Sequence, residues 1–331
     1  MPSHSPWTRW HAVADRMPRL VISSGDPAGV GPEVTIKAIA HLPTGVAECI
    51  VTGDPALLEQ TARALDLPPL PHVEAAGKAT HTRKGELSKE AGQAAVEAVT
   101  RAVELIEAGK ADALVTAPIN KEAIRLAGYP WPGHTEMLAD LTHAEDVRML
   151  LTSDRLRVVH VTTHRSLRQA IEAVTRERIL RTIELAAEAG HMLGIHQPRI
   201  GVAGLNPHAG EAGLFGDEEQ NEIAPAVNNA KQKGIDVTGP WPADTLFWRA
   251  VNGEFDLVVA MYHDQGHVPV KLLGFDAGVN ISLGLPIIRT SVDHGTAFDI
   301  AGKGIARWES MGTAITVAAE IVRRRQASRD L

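Results

Sequence analysis

Only one cysteine, Cys49, occurs among the 331 residues. No intrachain disulfide framework is possible, and a reducing, cytoplasmic setting is expected. Aromatic residues make up 4 % of the chain. Ala, Val, Ile and Leu must therefore fill the core, as they do in sheets covered by helices on both faces. No apolar run approaches the ~20 residues that a membrane span needs, and no apolar segment of the secretory-signal kind opens the chain. Positive charge is also scarce: 33 basic residues against 40 acidic ones leave a formal charge of −7. A protein that tracks a polyanion shows the opposite balance, so neither nucleic acid nor a membrane is expected as a partner. Any phosphate bound here must be met by a few local cations.

What is present is an alternation of short apolar runs with helical stretches, the pattern of a largely parallel sheet under helices. Strands are expected at Leu20–Ser23, Cys49–Thr52, Ala113–Thr116, Val158–Val161, Ile200–Ala203 and Leu257–Ala260. Most run apolar without alternation, as strands buried on both faces do. Ser88 caps a helix running to about Ala108, with Gly109 beyond it, and Thr175 caps Arg176–Leu193 before Gly194. Asp217, Glu218 and Glu219 open a helix that stops at Gly234. A last helix passes through Ala318–Arg325, where Arg323, Arg324 and Arg325 favour the C-terminal dipole more readily than they make a nucleic-acid patch. Residues 1–18 form an N-terminal extension. Gly128–Gly133, rich in Pro and Gly, is a candidate crossing between lobes.

Three of the 15 histidines stand apart by position. His164, His208 and His263 each follow closely on an apolar strand. In a parallel sheet such strand ends emerge on one edge, where α/β proteins place ligands. Three imidazoles meeting there would leave coordination positions open, as a catalytic metal requires. The same placement also suits loop histidines that ligate nothing. His41, His72, His81, His143, His191 and His196 read as surface residues.

Other stretches have two readings each. Asp26-Pro-Ala-Gly-Val-Gly-Pro-Glu33 follows a strand but lacks the third glycine of the dinucleotide fingerprint, and suits a tight βα turn. His134 and Thr135 offer an anion a donor pair, or simply a helix entry capped by Thr135. Lys271, Asn280 and Arg289 fall in a stretch otherwise apolar and glycine-rich, where a bound phosphate would supply counter-charge. Asp293–Ala306 is a polar, glycine-bearing loop able to pass close to a flat ligand, or a plain strand-to-helix connection.

Taken in order, these motifs make the chain resemble the 4-hydroxythreonine-4-phosphate dehydrogenase family. The resemblance rests on Ser24–Glu33, Thr116–Lys121, Gly133–Glu136, Thr162–His164, Asn206–Gly210, Pro242–Phe247, Met261–Gly266, Gly278–Ile281 and Ile288–Gly295. It runs from about Leu20 to the C-terminus. Gly213–Glu219, Gly266–Phe275 and Thr296–Ala301 look more like the branch acting on D-threonate or D-erythronate 4-phosphate. The loop His294–Ala306 is also similar to the cofactor loop of isocitrate and isopropylmalate dehydrogenases, which bind NAD without the fingerprint.

The resemblance implies two α/β/α lobes with a cleft between them, isocitrate/isopropylmalate dehydrogenase-like: residues 19–130 plus 303–331 in one lobe and 131–302 in the other. It implies a homodimer with a shared active site. Carried over by motif position, His164, His208 and His263 hold a divalent metal (zinc, cobalt or magnesium). His134, Thr135, Lys271, Asn280 and Arg289 bind substrate, Lys271 also as a catalytic group, and His294, Gly295, Ala297 and Asp299 line an NAD (or NADP) site. Asp244 is the candidate for proton transfer or support of the metal shell. The implied reaction is oxidation with decarboxylation of a small phosphorylated hydroxy acid, either 4-phosphooxy-L-threonine or D-threonate/D-erythronate 4-phosphate. Rival readings are a dihydrodiol dicarboxylate dehydrogenase, a metal-dependent hydrolase and a non-catalytic metabolite binder.

Overall fold

A computed structural model describes residues 16–79, 82–274 and 278–327; most of the N-terminal extension, His81 and Phe275 lie outside these. In chain order the elements are β1 (Arg19–Ser23), α1 (Gly31–Ala40), β2 (Glu48–Gly53), α2 (Pro55–Ala64), β3 (Val73–Ala75), α3 (Lys89–Glu107), β4 (Ala113–Thr116), α4 (Lys121–Leu126) and α5 (His134–Leu141). There follow β5 (Arg148–Thr152), β6 (Arg157–His160), α6 (Leu167–Glu172), α7 (Arg176–Met192), β7 (Ile200–Ala203), α8 (Ala224–Gln232), β8 (Val237–Trp241) and α9 (Ala243–Val251). The chain closes with β9 (Leu257–Ala260), α10 (His263–Leu273), β10 (Val279–Leu283), β11 (Ile288–Val292) and α11 (Glu309–Ala327). This is an α/β protein. Among the described residues no helix is long and apolar enough to cross a membrane.

Contacts divide the chain into two compact units, the described parts of Ala12–Val147 with Leu285–Leu331, and of Arg148–Gly284. In the first, β3, β2, β1, β4 and β11 lie side by side and all parallel. Val21, Ile50 and Leu114 are in register on one face, where Val96, Val99 and Val103 of α3 bury them. Met137 and Leu138 of α5 join that same core. Gly128–Gly133 therefore links α4 to α5 inside this unit, and the chain leaves it at Val147–Arg148. Arg323 of α11 donates to the carbonyls of Gly45 and Val46 at 2.6 Å, a local loop anchor.

In the second unit the order is β10, β5, β6, β9, β7, β8. β6, β9, β7 and β8 run parallel, while β5 is antiparallel to both its neighbours. The helix ends expected from the sequence are in place. Ser88 accepts from Ala91 N and Thr175 from Arg178 N, and Gly109, Gly194 and Gly234 follow their helices at positive φ. One stretch differs. A π turn at Glu219–Ile223 precedes α8, because the Glu219 carboxylate turns inward and does not stand as a first-turn surface acid.

Candidate active site

The strands leading to the three singled-out histidines, β6, β9 and β7, are adjacent and parallel, so His164, His263 and His208 all emerge at one sheet edge. His263 opens α10, and its Nδ1 lies 2.7 Å from Asp264 Oδ1. A carboxylate only accepts, so Nδ1 carries the proton and Nε2 keeps its lone pair for a ligand. The His164 ring is 5.7 Å from that of His263. His208 sits in a left-handed turn in which φ of residues 208–212 is 53°, 52°, 79°, 43° and 55°. Four of the five carry a side chain, and each costs about 1–2 kcal/mol in that conformation. Its ring faces Phe215. Among the described residues no three His, Cys, Asp or Glu side chains are grouped to hold a metal within one chain.

Glu219, 3 % exposed, packs under the His208 turn and anchors the residues that lead into it. Its Oε1 accepts from Leu205 N and Asn206 N, both at 2.7 Å, and its Oε2 from Asn206 Nδ2 at 3.0 Å. A Cβ at Gly210 would lie 2.6 Å from Glu219 Oε2, so only glycine admits the carboxylate there.

Two histidines that sequence reasoning passed over lie under this edge. His160, wholly buried at the end of β6, has Nδ1 3.3 Å from the Met149 carbonyl and Nε2 3.1 Å from His267 Nδ1. His267 stacks on His263 with centroids 3.7 Å apart and planes 12° apart. The spacing His263, His267, Lys271 places all three on one face of α10, a signal that was legible in the sequence. Burial first, then the neighbouring His267, pushes His160 down to about 3. Burial, then His263 and Lys271, pushes His267 down to about 4.

These shifts have a consequence for acid stability. An unfolded histidine titrates near 6.5, so below that pH the unfolded chain takes up protons that the folded rings refuse. The contribution of these two rings should therefore fall as pH drops from about 6.5 toward 4, opposed in part by Glu320, whose carboxyl is pushed up to about 7 by burial. His160 alone contributes a slope of up to about 1.4 kcal/mol per pH unit. Urea unfolding at pH 7.5, 6 and 5 in a chelator should show the decline, and the slope should be smaller in His160→Leu. An equal slope in the variant would assign the effect elsewhere.

In the first unit Arg289 of β11 is 3 % exposed and donates from Nη2 and Nε to Thr116 Oγ1 at 2.6 and 3.2 Å. Burial pushes its guanidinium down to about 9. His134 opens α5 with Thr135 beside it. Burial, then the charges of Arg289 and Lys121, hold His134 well below the usual histidine range. Its Nε2 is buried with no hydrogen-bond partner. Lys121 was not foreseen. Asn120 caps α4 by accepting from Glu122 N and Ala123 N, which sets Lys121 at the first helical position. The cations Lys121 and Arg289, with His134 beside them as a neutral hydrogen-bonding ring, suit a phosphate or carboxylate.

The loop after β11 is strapped to the loop after β1. Val30 N donates to the Thr296 carbonyl at 2.9 Å, and a Cβ on Gly29 would sit 2.9 Å from Thr296. Glu33, buried in α1, accepts from Lys37 Nζ, Ala306 N and Gly304 N. These contacts place His294, Gly295, Ala297 and Asp299 on one anchored loop, with Ala297 at φ 42° and His294 Nε2 buried and unpartnered. Asp26 is fully buried; burial raises its carboxyl, and Oδ2 has no partner.

The remaining candidates are scattered by comparison. Lys271 is half-buried in the last turn of α10, and Asn280 lies on β10. Asp244 is exposed in the first turn of α9, where a carboxylate favours the helix dipole. That helix packs beside the turn carrying His208.

Comparison with known proteins bears on this arrangement. The profile of the family described as "PdxA: Pyridoxal phosphate biosynthetic protein PdxA" matches residues 45–318. A D-threonate 4-phosphate dehydrogenase of Cupriavidus necator is 49 % identical over 333 residues, covering 95 % of this chain and all of that protein. A 4-hydroxythreonine-4-phosphate dehydrogenase of Beijerinckia indica is 47 % identical over 319 residues, covering 91 % of this chain and 94 % of that one. Among solved structures, a 4-hydroxythreonine-4-phosphate dehydrogenase from Klebsiella pneumoniae superposes with a TM-score of 0.84 at 44 % identity, covering 93 % of this chain and 98 % of that chain.

Proposed function

Because the chain belongs to the PdxA family, we propose that it is a nicotinamide-dependent dehydrogenase that oxidises and decarboxylates a 4-phosphorylated hydroxy acid, D-threonate 4-phosphate. The observation that carries this reading is the pair of cations Lys121 and Arg289 beside His134, a neutral ring with an unpartnered nitrogen. Such a group suits an oxyanion and has no evident role in folding. The motif pattern of Gly213–Glu219 and Thr296–Ala301 favours the sugar acid over 4-phosphooxy-L-threonine.

The donor set His164, His208 and His263 fits a divalent cation in chemistry, with three imidazoles at one sheet edge and one Nδ1 proton already engaged; the three are not grouped within one chain, so in this reading two copies would share the site. Bound there, zinc or cobalt, which imidazole suits better than magnesium, would polarise the substrate's hydroxyl and carboxylate oxygens. The loop His294–Ala306 fits a nicotinamide cofactor, NAD in this reading, which supplies the hydride acceptor. The chain's own residues bind and orient. Arg289, His134 and Thr135 bind an anionic group of the substrate; Lys271 and Asn280 are assigned to the substrate by motif position alone. His134 stays neutral and serves as a hydrogen-bonding group without adding charge. Lys271, on the face of α10 that carries His263, would return a proton to the substrate carbon that loses the carboxylate.

The assay is NADH formation by zinc- or cobalt-loaded protein, offered D-threonate 4-phosphate and 4-phosphooxy-L-threonine in parallel. Turnover of the sugar acid is expected and should vanish with a chelator. Turnover of the amino acid alone would move the protein to vitamin B6 synthesis, and no turnover of either would overturn the reading.

We also infer that two copies pair through the surface beside the histidines. Leu214, Phe215, Val268 and Leu272 are 72 %, 46 %, 52 % and 81 % exposed, an apolar surface typical of an interface. Sedimentation should give twice the chain mass, and Leu272→Asp should shift it toward the single chain. A wild-type monomer at micromolar concentration would refute the pairing.

A further inference from the structure

The buried pair His160 and His267, in the second unit, is not explained by substrate binding or by the fold. Two imidazoles placed in a core cost desolvation unless their hydrogen bonds accomplish something, and leucine would fill the space with less penalty. Here their bonds form a directed chain. The Met149 carbonyl of β5 can only accept, so His160 Nδ1 carries the proton. The neutral ring then presents a lone pair at Nε2. His267 Nδ1 faces it at 3.1 Å and must be the donor. His267 is thereby fixed in both tautomer and ring plane, and that plane lies parallel to His263 at 3.7 Å. The opposite constraint on His263, Asp264, is 79 % exposed, and a solvated carboxylate is a weak guide.

The local sequence is shaped around this chain. A Cβ on Gly266 would come 2.4 Å from His160 Nε2 and 2.7 Å from Val158 Cγ1. Glycine at that position is what lets α10 approach β6 closely enough for the two imidazoles to meet.

Resting on the metal reading given above, we propose that His160 and His267 are positioning residues: they relay the rigidity of β5 to the ring of His263 and hold it ready for its cation. Neither is itself a ligand. Outer groups of this kind alter metal affinity when removed, while a purely space-filling pair would not.

Two measurements test this. The first needs no variant: long-range proton–nitrogen NMR correlations of the histidine rings in the metal-free protein should show His160 and His267 both protonated at Nδ1. An Nε2 proton on either ring overturns the relay. The second is cobalt affinity by chelator competition, read together with the visible absorption of bound cobalt. His267→Leu should bind cobalt roughly tenfold more weakly, with an altered spectrum. His267→Phe, which keeps a ring against His263 but cannot donate to His160, should recover little of the affinity, and full recovery would overturn the relay. Wild-type protein that binds cobalt, with folded His267→Leu unchanged in affinity and spectrum, overturns this assignment alone. Wild-type protein that binds no cobalt overturns the metal reading and this assignment with it.

Discussion

Replacing Arg289 with methionine should leave a folded protein whose kcat/KM for D-threonate 4-phosphate is lower by roughly 30- to 4,000-fold, the effect of removing one partner of a desolvated charge pair worth about 2–5 kcal/mol. The guanidinium is 3 % exposed and held by Thr116 Oγ1, so it reaches a bound anion without reorganising and without competition from water. Both circumstances strengthen a charge-assisted contact. Methionine preserves most of the volume, and replacing a buried charge by an apolar group of similar size is often tolerated by the fold. The loss should therefore appear in catalysis and not in the urea midpoint. Arg289→Lys should remain impaired, because an ammonium cannot reproduce the planar fork that spans Thr116 and an oxyanion. A loss of less than about fivefold in Arg289→Met would remove Arg289 from the substrate contacts, since a pair of this kind is worth far more.

Glu219→Ala should destabilise the protein by about 2–5 kcal/mol, since hydrogen bonds to a charged group contribute about 1.5–3 kcal/mol each and water offsets part of the loss. Three hydrogen bonds to the carboxylate are lost together, and Leu205 N and Asn206 N are left near the turn that carries His208. That turn keeps four side-chain-bearing residues in left-handed conformation, and the carboxylate anchors Leu205 and Asn206, which lead into it. Glu219→Gln should fall between. Its amide oxygen can still accept from Leu205 N and Asn206 N, but its NH2 then faces the Asn206 amide donor. Urea unfolding gives the order wild type, Gln, Ala. Cobalt affinity should follow the same order as His208 is released. Equal stability of all three proteins would show that the turn is held by something other than Glu219.

How much of this was readable beforehand depended on whether the signal was local. The strands at Ala113–Thr116, Ile200–Ala203 and Leu257–Ala260 run with their expected bounds, since an unbroken apolar run between turn residues has few other places to go. The caps at Ser88 and Thr175 were as direct. β5 and β10 were not anticipated. They pair antiparallel and carry Arg148 and Asn280, so neither reads as an apolar run. The turn at His208 was illegible for another reason: of its five left-handed residues only Gly210 favours that conformation, and the carboxylate that anchors its entrance at Leu205 and Asn206 is more than ten positions away in sequence. Lys121 escaped notice because its relevance comes from His134 and Arg289, not from its neighbours in the chain.

By itself the sequence determined the α/β class, the helix ends, the strand-end placement of His164, His208 and His263, and the motif order that marks the family. All of these are set by residues within a few positions of one another. Tertiary structure alone decided which groups are desolvated and which protons they keep. His160 meets His267 across 107 positions, Arg289 meets Thr116 across 173, and Glu33 meets the loop after β11 across more than 270. Hydrogen-bond direction, ring tautomer and depressed basicity follow from burial and from partners distant in the chain, and only the folded chain brings these together.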